Sequence, residues 1–438
     1  MGTPRVSIDS LTAPNSEPSN FEYTNSQNEN TDSSSTKFEE WVNKQYKKAQ
    51  NSISDEEKEE IHSLYNKFPK VKESYLLLAK IGEGTFSTVY KAIDLNHSNY
   101  DNSSWLSLIQ WNASTSSGSP LNDNQLKLVA VKKIYVTSSP KRIANEISIL
   151  KDLSHCDKIA PLITAMRNED QIVIVMPYIK SEDFRSYYLN LSLDGIKFYF
   201  KSLFEALAFT HSKKIIHRDV KPSNFLYSVK KKHGVLVDFG LAERESEQEA
   251  ILYERNSSST NSGLNPNIAS RIYRRFDENG NPGVPRKDTR PSIRANRAGT
   301  RGFRAPEVLF KLPNQSTSID IWSAGVILLC FLTKRFPFFQ STDDTEALLE
   351  ISVLFGKVAM EQLSFELGRN FYTNIPTVKD KGIRFDALVR TYSMESWKTD
   401  VDYSVKFDLA IDLLKKCLTL NFKNRITASE AIYHPFFE

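Results

Sequence analysis

Cysteine is nearly absent. The chain of 438 residues holds three, Cys156, Cys330 and Cys417. They lie too far apart for the paired spacing of a zinc ribbon or finger. They read as isolated buried thiols in a reducing compartment. An excess of charge of one sign is missing too. Against 57 Lys and Arg stand 53 Asp and Glu, a formal net charge of +4, which gives no case for direct nucleic-acid binding by the fold. Nor is there a membrane-length apolar run. Ile321 to Leu332 is too short to cross a bilayer and follows Asp320, so it reads as a buried core helix. The first residues are polar, without the apolar stretch of a signal peptide, and Met-Gly-Thr-Pro-Arg-Val lacks the Ser/Thr of a myristoylation site. The expectation is a soluble intracellular protein with no membrane partner.

Aliphatic residues are also scarce from 1 to about 35, where Ser, Asn, Thr and Pro dominate. Such a segment buries too little surface to offset ordering entropy, and 1–35 is expected to be a disordered tail. Two short helices are expected over 36–74. Thr36 and Glu39 would cap one carrying Phe38, Trp41 and Val42. Ser54 and Glu57 would cap another carrying Ile61, Leu64, Tyr65 and Phe68, ended by Pro69. Each has one apolar face, to be covered by the chain's own small lobe or by a partner.

The residues that carry chemistry stand at His217-Arg-Asp-Val-Lys-Pro-Ser-Asn224, with Asp238-Phe-Gly240 beyond a hairpin. One short loop thus offers a carboxylate (Asp219), a cation (Lys221) and an amide (Asn224). Asp238 adds a second carboxylate. Moving a γ-phosphoryl group needs this set: a carboxylate to take the hydroxyl proton, an amide and a carboxylate for Mg²⁺, and a Lys to neutralise the phosphate. The segments resemble the protein-kinase catalytic loop and its metal-binding partner. Upstream, Ile81-Gly82-Glu83-Gly84-Thr85-Phe86-Ser87-Thr88-Val89-Tyr90 follows a strand pattern and resembles the kinase Gly-rich loop, with Ser87 at the third glycine position. Glycines there let the backbone approach phosphates. Val129-Ala-Val-Lys132 resembles the strand of the phosphate-binding lysine, and Glu146 lies on a helical pattern suited to pair with Lys132.

The kinase resemblance assigns further roles. Val89, Ala130 and Leu226 would sandwich adenine. Met176 would be the gatekeeper, and Pro177-Tyr178-Ile179 the hinge, Pro177 offering its carbonyl and Ile179 its N–H. Leu150, His217 and Phe239 would form a packed spine. Lys221 is the serine/threonine-kinase choice at its place. Thr300 would touch Asp219, Glu307 would pair with Arg425, and Asp320 would support the catalytic-loop backbone. A helix over Leu193 to Ser212 would bury Leu203, Leu207 and Phe209. The expected architecture is α+β and two-lobed: a β-rich lobe over 75–177 with an inserted surface loop at about 95–126, and a mainly α lobe over 178–438. A second insertion occupies about 245–293, before the Arg-rich stretch Arg294 to Arg304. His434-Pro-Phe-Phe-Glu438 resembles the usual last helix, with almost no tail expected beyond it.

Three stretches are more specific. Lys132 to Ile143, Gly234 to Glu243 and Asn296 to Leu309 resemble the cell-division-cycle-seven kinases, the catalytic half of the kinase that fires replication origins. The resemblance implies ATP and Mg²⁺ as cofactors, a zinc-finger-containing regulatory subunit, helicase subunits as substrates, and a nuclear location. It implies targets beside acidic or phosphorylated residues, read by Arg297 and Arg304. A meiotic paralogue of the family is the alternative. A pseudokinase scaffold is disfavoured by intact Lys132, Glu146, Asp219, Asn224 and Asp238.

Overall fold

The structure is a computed structural model that describes residues 33–103, 105, 127–245, 298–397 and 403–438. It divides into two compact units, one ending at Lys180 and one beginning at Ser181. The 1–32 part of the tail, most of the first insertion and nearly all of the second insertion, expected at about 245–293, lie outside the described residues.

The N-terminal unit is built on a five-stranded antiparallel sheet. Its strands are β1 (Tyr75–Glu83), β2 (Ser87–Asp94), β3 (Leu128–Ile134), β4 (Thr164–Asn168) and β5 (Gln171–Pro177), in the order β1-β2-β3-β5-β4. Alternation sorts the side chains. Tyr90, Ala92, Val129, Val131, Val173 and Val175 join one buried cluster. Their neighbours in sequence, Val89, Ala130, Lys132, Ile174 and Met176, point to the other face. Helix α1 (Ser33–Gln50) and helices α2 (Asp55–Lys67) and α3 (Pro69–Ser74) straddle β1. Val42 and Ala49 of α1 pack with Leu76 and Leu78. Ile61, Leu64, Phe68 and Val71 pack with Tyr75 and Leu77, on the opposite side. The chain's own sheet therefore covers both apolar faces.

Three details of this unit differ from expectation. Thr36 lies inside α1, which starts at Ser33. Ser54 does cap α2, accepting from the Glu57 N–H, but Glu57 does not reach back to complete a box; its carboxylate accepts instead from the Lys80 N–H. The first insertion is not all surface loop. Trp105 is buried in the sheet cluster, and its Nε1 donates to Asn102 Oδ1 at 3.2 Å. A large aromatic offers enough apolar area to draw a polar segment inward.

Helix α4 (Pro140–Asp152) follows β3, capped by Ser139. The C-terminal unit centres on α5 (Leu193–Ser212) and α6 (Ser318–Thr333). Helix α6 is buried along almost its whole length, which explains its largely apolar composition. Beyond it run α7 (Asp344–Phe355), α8 (Lys357–Glu366), α9 (Phe385–Trp397) and α10 (Tyr403–Cys417). Leu203 and Leu207 of α5 are fully buried. Phe209 is only half-buried, with Lys213 Nζ 5.8 Å from its ring, because it falls on the outer side of the helix. Two short antiparallel ladders frame the loop chemistry: β6 (Ile215–Ile216) with β9 (Glu243–Arg244), and β7 (Phe225–Ser228) with β8 (His233–Leu236). Arg425 grips Glu307 through both nitrogens, Nη1 to Oε1 at 2.7 Å and Nη2 to Oε2 at 3.1 Å.

Candidate active site

In the N-terminal unit the sheet's second face gathers the residues expected at a nucleotide. Register places Val89 opposite Lys132, Gly82 opposite Val89, and Ala130 opposite Met176. Directly opposite residues share a face, so Gly82, Val89, Ala130, Lys132 and Met176 line one surface. Lys132 Nζ meets Glu146 Oε1 of α4 at 2.6 Å, with both groups buried. A buried pair of this kind is costly to desolvate and holds its geometry tightly. It fixes the lysine's reach.

The Gly-rich turn is tied at its tip. Phe86 O accepts from the Tyr135 N–H at 2.9 Å, and Arg142 stacks 3.8 Å from the Phe86 ring centroid. Glu83 pairs with Lys80 at 3.1 Å. Ile81, Glu83, Gly84, Thr85 and Phe86 are exposed, while Ser87 is half-buried. The chain's own packing does not demand glycine at this turn. A Cβ on Gly82 would sit 3.8 Å from Val89 Cβ, and one on Gly84 would sit 3.8 Å from Ser87 O. Both are ordinary contacts, so the two bare backbones leave room that suits a closely approaching phosphate. At the end of β5, Pro177 is buried, Tyr178 donates its N–H to Leu128 O at 3.0 Å, and Ile179 is half-buried.

In the C-terminal unit, Asp219 is held at both oxygens. Oδ1 accepts from the Thr300 N–H and from Thr300 Oγ1, each at 2.8 Å. Oδ2 accepts from Asn224 Nδ2 at 3.0 Å and pairs with Lys221 Nζ at 2.7 Å. Lys221 also donates to Thr300 Oγ1 at 2.9 Å. Asn224 Nδ2 reaches Asp219 O at 2.9 Å as well. Both amide hydrogens thus face Asp219, which leaves Oδ1 of Asn224 as the atom for a cation. Val237 is clamped beside it, its N–H on Asn224 O at 2.9 Å and its carbonyl on His217 Nε2 at 3.0 Å. Asp238 follows in the left-handed region, φ 64°, and its side chain is exposed. Asp is among the few non-glycine residues that adopt this region readily. Among the described residues no group of three His, Cys, Asp or Glu could hold a metal ion. One amide and one carboxylate suit instead a hard divalent ion that keeps water or phosphate oxygens in its shell.

The loop beneath is pinned from α6. Asp320 is fully buried and accepts from the N–H groups of His217 and Arg218, both at 2.8 Å. Its Oδ2 also bonds His211 Nε2 at 2.9 Å. Burial by itself pushes this carboxyl up, but the bonds from His211 and the His217 backbone outweigh it, and the net displacement is below the ordinary value. His217 packs edge-on against Phe239, centroids 4.7 Å apart, and Leu226 is half-buried on β7. Leu150 is buried in the other unit.

Several residues that matter here have no role assigned from the sequence. His211 sits on the far end of α5. The buried Arg218 guanidinium pairs with Glu243 of β9. Gly299 has φ 93°, and a Cβ there would lie 2.3 Å from Arg218 O, so only glycine lets the segment pass over the catalytic loop.

The arginines separate. Arg297 lies outside the described residues. Arg304, expected to read an acidic target residue, is turned inward. Its Nε and Nη2 donate to Gly299 O at 3.0 and 2.7 Å, and Nη1 reaches Asp344 Oδ1 at 2.8 Å. A fork used at three points is a structural brace. Arg301 is looser: its side chain is 39% exposed, Nε stands 3.6 Å from Asp344, and Nη1 is 3.4 Å from Ser341 O. The two arginines, with Asp343 and Asp344, line a depression of about 310 Å³.

The chain matches the protein kinase domain family over residues 118–266 and 283–437. It is 46% identical to the cell cycle serine/threonine-protein kinase hsk1 of Schizosaccharomyces pombe, over 89% of this chain and 78% of that protein. It is 38% identical to the cell cycle protein kinase spo4 of the same organism, over 88% of this chain and 90% of that protein. A cell division cycle 7-related protein kinase of Homo sapiens is 27% identical, over 87% and 92%.

Proposed function

The chain belongs to the protein kinase family, in its cell-division-cycle-7 branch, and from this premise we propose how it works and on what. It is a cell-cycle serine/threonine kinase that uses ATP and a divalent metal. The finer reading is that the metal is Mg²⁺ and the targets are Ser or Thr beside acidic or phosphorylated residues of replicative-helicase subunits. It acts in the nucleus, with a zinc-finger-containing regulatory subunit. The observation that carries the chemistry is the Asp219 network, in which one carboxylate is bound by Thr300, Lys221 and Asn224.

Asp219 acts first as a positioner. With both oxygens anchored, it presents a fixed acceptor to the incoming hydroxyl, orients it, and takes its proton as the new bond forms. Lys221 lies against the same carboxylate and neutralises charge on the transferring phosphoryl. Lys132, braced by Glu146, holds phosphates from its own unit together with the backbone N–H groups of the Gly-rich turn. Within the N-terminal unit, Val89 and Ala130 would offer an apolar surface to adenine, with Met176, Pro177 and Ile179 at its edge. Asn224 and Asp238 would hold a divalent metal, which would supply charge neutralisation on the phosphate oxygens. The remaining catalysis is positioning and preorganised electrostatics. With Arg304 committed to bracing, Arg301 is the better-placed cation for an acidic target residue.

The test is phosphate transfer to peptides with acidic or neutral flanks, by the chain alone and with a candidate regulatory subunit. Preference for the acidic peptide, and activity that depends on the subunit, are expected. Equal use of both peptides would overturn the acid-directed reading. Full activity of the chain alone would overturn the dependence on a subunit.

A further inference from the structure

One outer strand of the nucleotide-side sheet is β1, and among the described residues no strand pairs with its outer edge. Its pairing with β2 slips twice, between Leu77 and Ala79 and between Lys80 and Gly82. An edge of this kind is weakly specified, yet it leads straight into the Gly-rich turn. Helix α2 supplies what the edge lacks. The Tyr65 hydroxyl accepts from the Leu77 N–H at 2.7 Å and bonds to Tyr75 O at 3.1 Å. Those groups flank Leu76 as a residue of a parallel neighbouring strand would bond them. Glu57 accepts from the Lys80 N–H. Glu60 holds Lys80 Nζ at 3.1 Å and accepts from the Tyr90 hydroxyl at 3.2 Å. Lys80 and Tyr90 face each other across β1 and β2, so α2 grips both stems of the hairpin at one rung. Ile61 and Leu64 meanwhile anchor the helix in the sheet's core.

We propose that Tyr65, Glu57 and Glu60 are positioning residues for nucleotide binding. By bonding β1 through its outer edge, they confine motion of the Gly-rich hairpin to the residues beyond the Lys80/Tyr90 rung and hold its backbone in phosphate-binding register. The N-terminal helices are on this view a working part of the nucleotide site. The inference rests on the Gly-rich turn being that site.

The experiment compares the full chain with Tyr65→Phe, which keeps the ring and loses the hydroxyl, with Glu60→Gln, which sits at a half-exposed position, and with the two combined. Readouts are KM for ATP, KM for peptide, kcat, binding of a fluorescent ADP analogue, and hydrogen exchange across 76–90. The expected result is an ATP KM and an ADP-analogue Kd each raised about fivefold in the double variant, on the scale of one or two lost hydrogen bonds. Peptide KM should stay unchanged and kcat within about twofold, with faster exchange at 77–84. A double variant with lower thermal stability but the parent's ATP KM and analogue affinity, measured well below its Tm, would overturn the proposal. If the double variant does not fold, the same comparison is made on Glu60→Gln alone, where an unchanged ATP KM overturns it equally. Absence of analogue binding by the unsubstituted chain would instead overturn the nucleotide-site reading itself.

Discussion

Asp219 shows how much of a catalytic group's behaviour lies in its neighbours. Its Oδ1 is bound twice by Thr300. Thr300→Ala removes the hydroxyl bond and keeps the backbone one, so the carboxylate gains freedom without losing its place. A kcat lower by roughly 10–100-fold with unchanged KM for ATP is expected from steady-state kinetics, the range of a mis-set general base. Asp219→Asn and Lys132→Met should abolish transfer in a folded protein, with a lower Tm for Lys132→Met because it strands the buried Glu146 carboxylate; normal turnover by a folded Asp219→Asn protein would sink the assignment. Gly299→Ala acts differently. Its methyl would meet Arg218 O at 2.3 Å, and the catalytic loop or the passing segment must shift. Loss of kcat without loss of nucleotide binding is the expected signature. Arg301→Ala should raise KM for an acid-flanked peptide about tenfold and leave a neutral peptide unaffected, as loss of one charge-assisted contact implies.

At the scale of elements, the catalytic loop is fastened by α6, and the fastening is electrostatic. Asp320 is displaced below its ordinary 3.8. Near that pH the unfolded state binds more protons than the folded one. The stabilisation is therefore complete above the unfolded value and is lost as pH falls through the folded one. Asp320→Asn should flatten the acid limb of a stability–pH curve below about pH 4 and lower Tm at neutral pH, as thermal scans across pH would show. The Glu307–Arg425 bridge joins the short helix Pro306–Leu309 to the chain after α10, with both side chains essentially inaccessible. Removing one partner strands a buried charge. Arg425→Met should cost about 3–5 kcal/mol in denaturant unfolding, and a second, apolar replacement of Glu307 should recover much of it.

At the scale of the whole molecule, all three cysteines are buried thiols outside any disulfide, and burial pushes Cys330 and Cys417 each up to about 12. A thiol-reagent titration at pH 8 should find both silent in the native protein and reactive after unfolding, since the thiolate is the reactive form. The family and its chemistry were legible in the chain because their groups sit in short contiguous runs. His217 to Asn224, Asp238-Phe-Gly and the Gly-rich turn each place several functional atoms within a few residues, where backbone geometry alone brings them together. Alternation likewise marked the strands, and Ser54 marked the start of α2. Other features depended on the fold. Arg304 became a brace because Gly299 O and Asp344 lie within its reach, a fact no local pattern carries. Glu57 left its capping box for the Lys80 N–H, 23 residues away in sequence, because an open strand edge offers a stronger partner than a solvated cap. Trp105 entered the core from a polar segment. His211, Gly299 and Glu243 act through residues distant in sequence. The sequence alone determined which reaction the chain performs, since reactive groups are chosen residue by residue. Only the tertiary structure decided which charges are spent on holding the fold and which are left for substrate, since that depends on what each side chain meets in space.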